Sequence, residues 1–279
     1  MKRFIPILAA SLAAFLLWGC TPREVVVSRP VKLDLKIEKV TGTKVVFSVT
    51  SSNENACYAH FTLSEGHPAF DRPEKEVARE YLDVVADMWE GGQKENTDFY
   101  EPEEGVKMRF SDFALFRGSR KLKQIFLSSN TDFKLILVQV NPRTHQIIGE
   151  PLSERFHTKA VPMKPLEFNF TVEDHTLRIT PSDPEQTYFW AVDRLERIED
   201  NYSDAYTYMY SLIDMYEDYG FVERILSKGT VTVDFDRDQL WDDYPYVASA
   251  FGYSDGEICS AESDWFFVSS DGYLREAQF

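Results

Sequence analysis

Hydrophobic and polar residues alternate through much of the chain, which predicts a protein built mainly of β-strands. The first alternating segment covers residues 31–37, where apolar residues at every second position are separated by charged ones. Strict alternation places the apolar side chains on one face of a strand and the polar ones on the other. Further segments follow at Val45 and at Cys57, and each predicts a strand with one face in a core.

The same pattern recurs about 130 positions further along the chain. Phe47 and Tyr58 correspond to Leu177 and Tyr188, and an alternating segment over residues 166–172 precedes the second copy. Repetition of one plan over most of a chain predicts two domains of the same architecture.

Each copy changes to a helical pattern after its third strand. In the first copy, Pro73 is expected in the first turn and Gly91 is expected to end the helix. The apolar face of this helix is predicted to contain Val77, Tyr81, Val84, Val85 and Met88.

The helix of the second copy has two apolar stripes. Ser203 is predicted to cap it, and it should run through Tyr219 with Gly220 just beyond. The stripe predicted to face the sandwich consists of Ala205, Met209, Leu212 and Tyr216. The other contains Tyr202, Tyr206, Tyr210 and Ile213, and it needs a second partner, which is either another part of the chain or a ligand. The candidates for binding a protein or a sugar are therefore Tyr202, Tyr206 and Tyr210, followed by Trp89, Trp241 and Trp265.

Both copies end in strands, and the predicted fold class is mainly β with inserted helices. It consists of two tandem fibronectin III/immunoglobulin-like β-sandwich domains, each with one helix inserted after the third strand. The predicted boundaries are a signal peptide (1–19), a tether (20–30), domain 1 (31–158), a linker (159–165), domain 2 (166–268) and a tail (269–279).

The N-terminus predicts an anchor. Lys2 and Arg3 precede an apolar run over residues 5–18, which is too short for a comfortable membrane span. The run ends in Leu17-Trp18-Gly19-Cys20, which resembles the lipobox of bacterial lipoproteins, although Trp18 departs from the small residue usual there. This resemblance implies cleavage before Cys20, lipidation of its thiol and a lipid-anchored location at the outer membrane, with the surface or periplasmic face left open. The alternative is an ordinary secretory signal with an incidental cysteine.

Charge and composition limit the partners. The net charge of −16 becomes −18 without Lys2 and Arg3, which excludes attraction to nucleic acid through a basic patch. A protein or glycan partner stays open. Cys57 and Cys259 have no metal-type cysteine neighbour, and a disulfide between them is left undecided.

The chain contains no recognisable catalytic or cofactor motif. The five histidines do not form a zinc spacing, and the nucleophile elbow, the phosphate loop and the dinucleotide fingerprint are all missing. The aspartate spacing at the start of a calcium-binding loop is matched by Asp234, Asp236 and Asp238. However, Gln239 and Pro245 stand where that loop requires glycine and glutamate. The three aspartates are therefore candidate metal ligands, and a solvated strand edge is the favoured interpretation. We expect no enzyme activity, no cofactor and no metal.

The whole plan resembles the tandem fibronectin type III-like repeat lipoproteins of gut anaerobic bacteria, which carry a helical insertion in each repeat. The resemblance rests on the turn at residues 180–183 before Tyr188, on an Asp-Met-aromatic-Glu motif at 87–90 and 214–217, and on the hairpin at 247–268. Phe133 departs from it, because a corner tyrosine is expected there.

That resemblance implies a fold but no particular activity, since most members of the family have no assigned function. We expect a non-catalytic, membrane-anchored binding or scaffold module. The alternative is a structural subunit of a surface fibre that exchanges residues 24–35 with a neighbour. A glycan-acting enzyme is a third reading, and it would need two carboxylates about 5 to 10 Å apart in one cleft.

Overall fold

The computed structural model describes residues 26–95, 109–235, 240–241, 244–270 and 273–277, and for residues 92–95 it describes only the backbone. These residues form two compact units that divide between Lys159 and Ala160. Unit 1 precedes this division and unit 2 follows it. Among the described residues, no helix combines the length and the apolar character that crossing a membrane requires.

Two antiparallel sheets form unit 1. Its strands are β1 (Leu33–Val40), β2 (Val45–Ser51), β3 (Cys57–Ser64), β4 (Phe116–Arg117), β5 (Arg120–Gln124), β6 (Asp132–Val140) and β7 (Ile147–His157). The sheet orders are β1-β2-β5 and β4-β3-β6-β7. Phe47, Tyr58 and Leu135 are fully buried in the core that the two sheets enclose. This is the β-sandwich that the alternation predicts.

Helix α1 (Glu74–Glu95) and the short helix α2 (Phe110–Ala114) lie between β3 and β4. Strands β3 and β6 are buried on both faces, because α1 covers the face that points away from the sandwich. This explains why the sequence of β6 is almost continuously apolar.

The N-terminal turn of α1 is held to β6 by a buried lysine. Lys134 is 5% exposed, and its Nζ donates to the carbonyl of Phe70 at 2.6 Å and lies 3.3 Å from Oε1 of Glu74. The ammonium therefore keeps hydrogen-bonding partners although it lies in the interior.

The predicted face of α1 is partly wrong. Val84 and Met88 are 59% and 63% exposed, whereas Ala78 and Leu82 are buried beside Val77. Tyr81 and Val85 of the predicted face do pack against this core, so the packed face is shifted towards Ala78 and Leu82. Gly91 does not end the helix, which continues to Glu95.

Unit 2 repeats the plan. Its strands are β8 (Phe168–Glu173), β9 (Thr176–Pro181), β10 (Tyr188–Arg194), β11 (Val231–Asp234), β12 (Pro245–Ser254), β13 (Glu257–Ile258), β14 (Ser263–Ser270) and β15 (Tyr273–Glu276). The sheet orders are β11-β9-β8 and β10-β12-β14-β15, with β13 paired to β12. Leu177 and Tyr188 are fully buried, like Phe47 and Tyr58 in unit 1.

Three helices lie between β10 and β11: α3 (Leu195–Asn201), α4 (Ala205–Asp218) and α5 (Val222–Ile225). One inserted helix per unit was predicted, whereas the described residues contain two in unit 1 and three in unit 2. The additional helices are seven residues long or shorter, so they carry no periodic pattern that a sequence could reveal.

Helix α4 begins one residue later than predicted, and its buried face overlaps the predicted one only in part. The side chain of Asp204 accepts the backbone N–H of Thr207 at 2.7 Å, so Asp204 is the cap and Ser203 is not. The buried residues are Tyr208, Met209, Tyr210, Ile213 and Asp214. Met209 of the predicted face is fully buried, and Tyr210 and Ile213 of the second stripe are buried beside it, so the packed face lies between the two stripes. Gly220 follows the helix with φ +69°, as its predicted place just beyond the helix requires.

Candidate functional site

The tyrosine stripe of α4 belongs largely to the interior of unit 2. Tyr210 is 4% exposed, Tyr206 lies 6.4 Å from the Phe251 ring of β12, and Tyr202 contacts Tyr208 edge-on at 5.2 Å. Tyr202 and Tyr206 keep part of their surface in solvent, but the three rings do not form one exposed platform.

Phenol–carboxylate hydrogen bonds fix α4 to the sheet. The Tyr208 hydroxyl donates to Oδ2 of Asp193 at 2.5 Å, and the Tyr253 hydroxyl donates to Glu217. Burial and these carboxylates raise the pKa of both phenols, so both remain protonated donors.

The candidate metal ligands are only partly described. Oδ1 of Asp234 accepts the Thr176 hydroxyl at 2.6 Å, within the pairing of β11 and β9. Asp236, Asp238 and the lipidation candidate Cys20 lie outside the described residues. Within the described ranges, no cluster of histidine, cysteine, aspartate and glutamate side chains is arranged to hold a metal.

His60 makes a ring contact, His67 makes a turn hydrogen bond, and Cys57 and Cys259 are both buried. His60 stacks on Phe116 at 4.9 Å, and burial lowers its pKa to about 4. Nδ1 of His67 accepts the backbone N–H of Ala69 at 3.1 Å. Cys57 and Cys259 are buried, are not joined by a disulfide, and lie in different units.

An exposed aromatic pair marks the corner that leads into β12. Trp241 and Tyr244 are 55% and 39% exposed, and their rings meet edge-on with centroids 5.3 Å apart. The guanidinium carbon of Arg194, at the end of β10, lies 4.3 Å from the indole centroid. These three residues form what we call the aromatic surface.

A tyrosine corner holds this surface in place. The buried Tyr246 is the second residue of β12, and its hydroxyl accepts the backbone N–H of Trp241 at 2.8 Å. A hydroxyl that bonds the backbone a few residues upstream is a recognised fastening of β-sandwiches. Phe133 stands at this position in unit 1 and has no hydroxyl to offer.

A second feature of unit 2, the acidic cluster, brings together polar residues from three segments. It consists of Asp204, Tyr206, Ser249, Glu262 and Asp264. Asp264 lies opposite Ser249 in the pairing of β14 and β12, so the two side chains share one face of the sheet. Oε1 of Glu262 is buried without a hydrogen-bond partner in the described part of the chain.

Burial perturbs the carboxyl groups of the acidic cluster. Burial, with the negative charges of Asp264 and Asp204, raises the pKa of Glu262 to about 8. Partial burial also raises the pKa of the Asp264 carboxyl, while a hydrogen bond from the Ser249 hydroxyl acts in the opposite direction. Glu262 is therefore mostly protonated at neutral pH.

Comparisons with known proteins add little to this picture. No protein-family model matches the chain, and no curated protein matches it. Similar solved structures include the FN1–FN3 domains of chicken CNTN1, with 13% identity, TM-score 0.28, and coverage of 87% of this chain and 67% of that one. A two-domain fibronectin type III segment of chicken tenascin has 8% identity and TM-score 0.24, covering 86% of this chain and 100% of that one. The central fibronectin III array of RIM-binding protein has 12% identity and TM-score 0.22, covering 85% and 62%.

The strand orders themselves define the class of the protein. Each unit pairs a three-stranded antiparallel sheet with a larger one and carries helices after its third strand. The chain is a tandem of two β-sandwich units with inserted helices.

Proposed function

We propose that this protein is a non-catalytic binding module of the bacterial cell envelope, anchored through an acylated Cys20. The aromatic surface of Arg194, Trp241 and Tyr244 is its contact with the ligand, and its exposure is the observation that carries the proposal. Large aromatic side chains and arginine are enriched where proteins meet their partners.

The surface is preorganised for binding. The backbone of Trp241 is tied to Tyr246, and its indole is flanked by Arg194 and Tyr244. Side chains that are already ordered lose less entropy when a ligand arrives.

A glycan is the ligand that fits this surface best. Two rings and one guanidinium offer far less area than the roughly 800 Å² per partner that a standard protein interface buries. An exposed indole can stack on one sugar ring, and the arginine supplies a fork of N–H donors for hydroxyl or carboxylate oxygens.

Affinity electrophoresis tests the ligand. Wild-type protein and Trp241→Ala would be run in native gels that contain polysaccharides extracted from the producing cells or from their surroundings. We expect a polysaccharide that retards the wild type and leaves Trp241→Ala unretarded. Phe221→Ala is the matched control, since Phe221 is an exposed aromatic of unit 2 with Arg224 at 5.1 Å from its ring. Equal mobility shifts in wild type and Trp241→Ala would refute the role of this surface.

A separate experiment tests the anchor. Cells fed an alkynyl fatty acid should label the wild-type chain, and Cys20→Ala should abolish the label. Protease treatment of intact cells then distinguishes the surface from the periplasmic face. A labelled Cys20→Ala protein would contradict the proposed anchor and leave the aromatic surface untouched.

The alternative of a strand-exchanging fibre subunit meets a structural obstacle. Residues 33–40 already pair with β2, and the side chain of Gln139 holds the segment before them. Its amide donates to the carbonyl of Arg29 and accepts the N–H of Val31, both at 2.9 Å. Exchange of residues 24–35 would have to break these bonds, so we favour the binding module.

A further inference from the structure

The outer face of the three-stranded sheet of unit 1 is rich in lysine. The central strand β2 turns the buried Val45, Phe47 and Val49 towards the core, so the residues between them and their neighbours on β1 and β5 point outwards. The lysines on this outward side, which we call the lysine face, are Lys32, Lys36, Lys39, Lys121 and Lys123. All except the half-buried Lys123 are exposed to solvent.

The lysine face has an excess of positive charge. The acidic residues of its three strands are Asp34 and Glu38, so five lysines meet two carboxylates. A hydrogen bond from Ser48 and the ammonium of Lys121, whose Nζ lies 3.4 Å from Oε2 of Glu38, lower the pKa of Glu38. This carboxylate is therefore already bound within the face. A chain with a net charge of −16 thus presents a local positive surface on one sheet.

The fold does not require this concentration of lysine. The equivalent sheet of unit 2, β11-β9-β8, turns the buried Leu177 and Ile179 inwards in the same way. The charged residues of its strands are Glu173, Arg178 and Asp234, two carboxylates and one guanidinium. Because the two sheets hold the same place in the same plan, the lysines answer to something that unit 1 meets and unit 2 does not.

The position of the proposed anchor supplies that difference. Lys32 lies twelve positions after Cys20, and a fully extended chain of this length spans at most about 40 Å. The chain enters unit 1 at Lys32 and continues directly into β1, which carries Lys36 and Lys39. An acylated Cys20 therefore holds the lysine face within this distance of the lipid headgroups. A lipid anchor combined with a basic patch is a recognised pair of membrane-binding signals.

We propose that the lysine face docks on the anionic headgroups of the membrane that holds the acylated Cys20. This inference rests on the proposed anchor and is independent of glycan binding by the aromatic surface. Salt screens charges beyond about 8 to 10 Å, and stacked sheets lie about 10 Å apart. The headgroups therefore act on the lysine face, whereas the acidic residues beyond the second sheet are screened from them.

Fluorescence quenching on the acylated chain in vesicles tests this inference. A fluorophore on Thr50→Cys marks the lysine face, because Thr50 is an exposed outward residue of β2. A fluorophore on Thr232→Cys marks the equivalent sheet of unit 2 and is the matched control. The native Cys57 and Cys259 are buried, which directs the label to the introduced thiol. The vesicles contain either equal parts of phosphatidylcholine and phosphatidylglycerol or phosphatidylcholine alone, each with a trace of lipid that carries a nitroxide quencher on its headgroup.

We expect stronger quenching of the Thr50→Cys label than of the Thr232→Cys label in the anionic vesicles, and equal quenching in the neutral ones. Lys36→Gln and Lys39→Gln should each lower the ratio of docked to undocked chains by about fivefold, as the loss of one lysine near an anionic surface implies. Both side chains are exposed, so neither variant disturbs the core. Arg178→Gln removes a positive charge from the equivalent sheet of unit 2 and should leave the ratio unchanged.

Three results would overturn the proposal, and they differ in what they leave standing. Quenching at Thr50→Cys that ignores phosphatidylglycerol, or that persists without Lys36 and Lys39, would show that charge does not dock this face. A label that responds to soluble dextran sulfate but is not quenched in anionic vesicles would assign the face to a polyanion in solution instead of a lipid surface. A chain that joins neither kind of vesicle would contradict the anchor at Cys20, and the docking with it.

Discussion

Two tyrosines at equivalent positions of the two units should respond oppositely to the loss of their hydroxyl groups. Tyr58 on β3 and Tyr188 on β10 are both fully buried. The Tyr188 hydroxyl donates to the carbonyl of Gly229 at 2.8 Å, whereas the Tyr58 hydroxyl has no partner within the described residues. Burial raises the pKa of each phenol to about 12, so both stay neutral.

The expected free-energy changes follow from what each hydroxyl contacts. Tyr188→Phe removes a hydrogen bond with a net value of about 0.5 to 1.5 kcal/mol and should destabilise unit 2 by that amount. Tyr58→Phe removes a buried polar group that makes no hydrogen bond, and it should stabilise unit 1 by about 1 kcal/mol, since the desolvation cost disappears. Tyr188→Phe should therefore lower the free energy of unfolding of unit 2, and Tyr58→Phe should raise that of unit 1. The two changes should differ by about 2 kcal/mol.

Native-state hydrogen exchange with mass spectrometry measures both effects in one protein. Peptides from β3 and β6 report the opening free energy of unit 1, and peptides from β10 and β12 report that of unit 2. The peptides of the unmutated unit are the internal control. If Tyr58→Phe destabilised unit 1 as much as Tyr188→Phe destabilises unit 2, the assignment of an unpaired hydroxyl at Tyr58 would be wrong.

Three further predictions concern pH and the tyrosine corner. The pKa of His60 is about 4 in the folded chain against 6.5 in the unfolded one. The free energy of unfolding of unit 1 should therefore fall by up to about 3 kcal/mol as pH falls from 6.5 to 4. Hydrogen exchange should show that this pH dependence is lost in His60→Phe. The raised pKa of Glu262 predicts the opposite pH dependence, so unit 2 should lose stability as pH rises from 4.5 to 8. Denaturant titrations of Glu262→Gln should not show that loss. Tyr246→Phe should destabilise unit 2 by about 1 kcal/mol and speed exchange at the Trp241 amide, and an unchanged Trp241 rate would count against the corner.

The strand pattern of the sandwich could be predicted from the sequence, because alternation is a property of neighbouring residues. Phe47 and Leu177 were placed in equivalent strands, and both are fully buried in their cores. The helix faces were harder, because a helix with several apolar stripes does not reveal which one meets the sheet. Val84 and Met88 have the right spacing for the core face of α1, yet Ala78 and Leu82 occupy it.

The candidate sites differ in how far the sequence could indicate them. Trp241 was among the aromatic candidates, but its exposure and its tie to Tyr246 appear only in the fold. The acidic cluster brings together two residues of the 204–206 segment, Ser249 on β12 and two residues near the start of β14, which no local pattern connects. Acidic residues are so frequent in this chain that Glu262 stands out only once its burial is known.

The buried ammonium of Lys134 provides a natural chemical reporter. Acylating reagents modify the lysines that solvent reaches, and Lys134 is shielded while its nitrogen contacts Phe70 and Glu74. Its modification would require the start of α1 to lift from β6, whereas exposed lysines such as Lys121 react in the closed state. The ratio of the two modification rates would therefore measure how often this helix detaches, without any engineered probe.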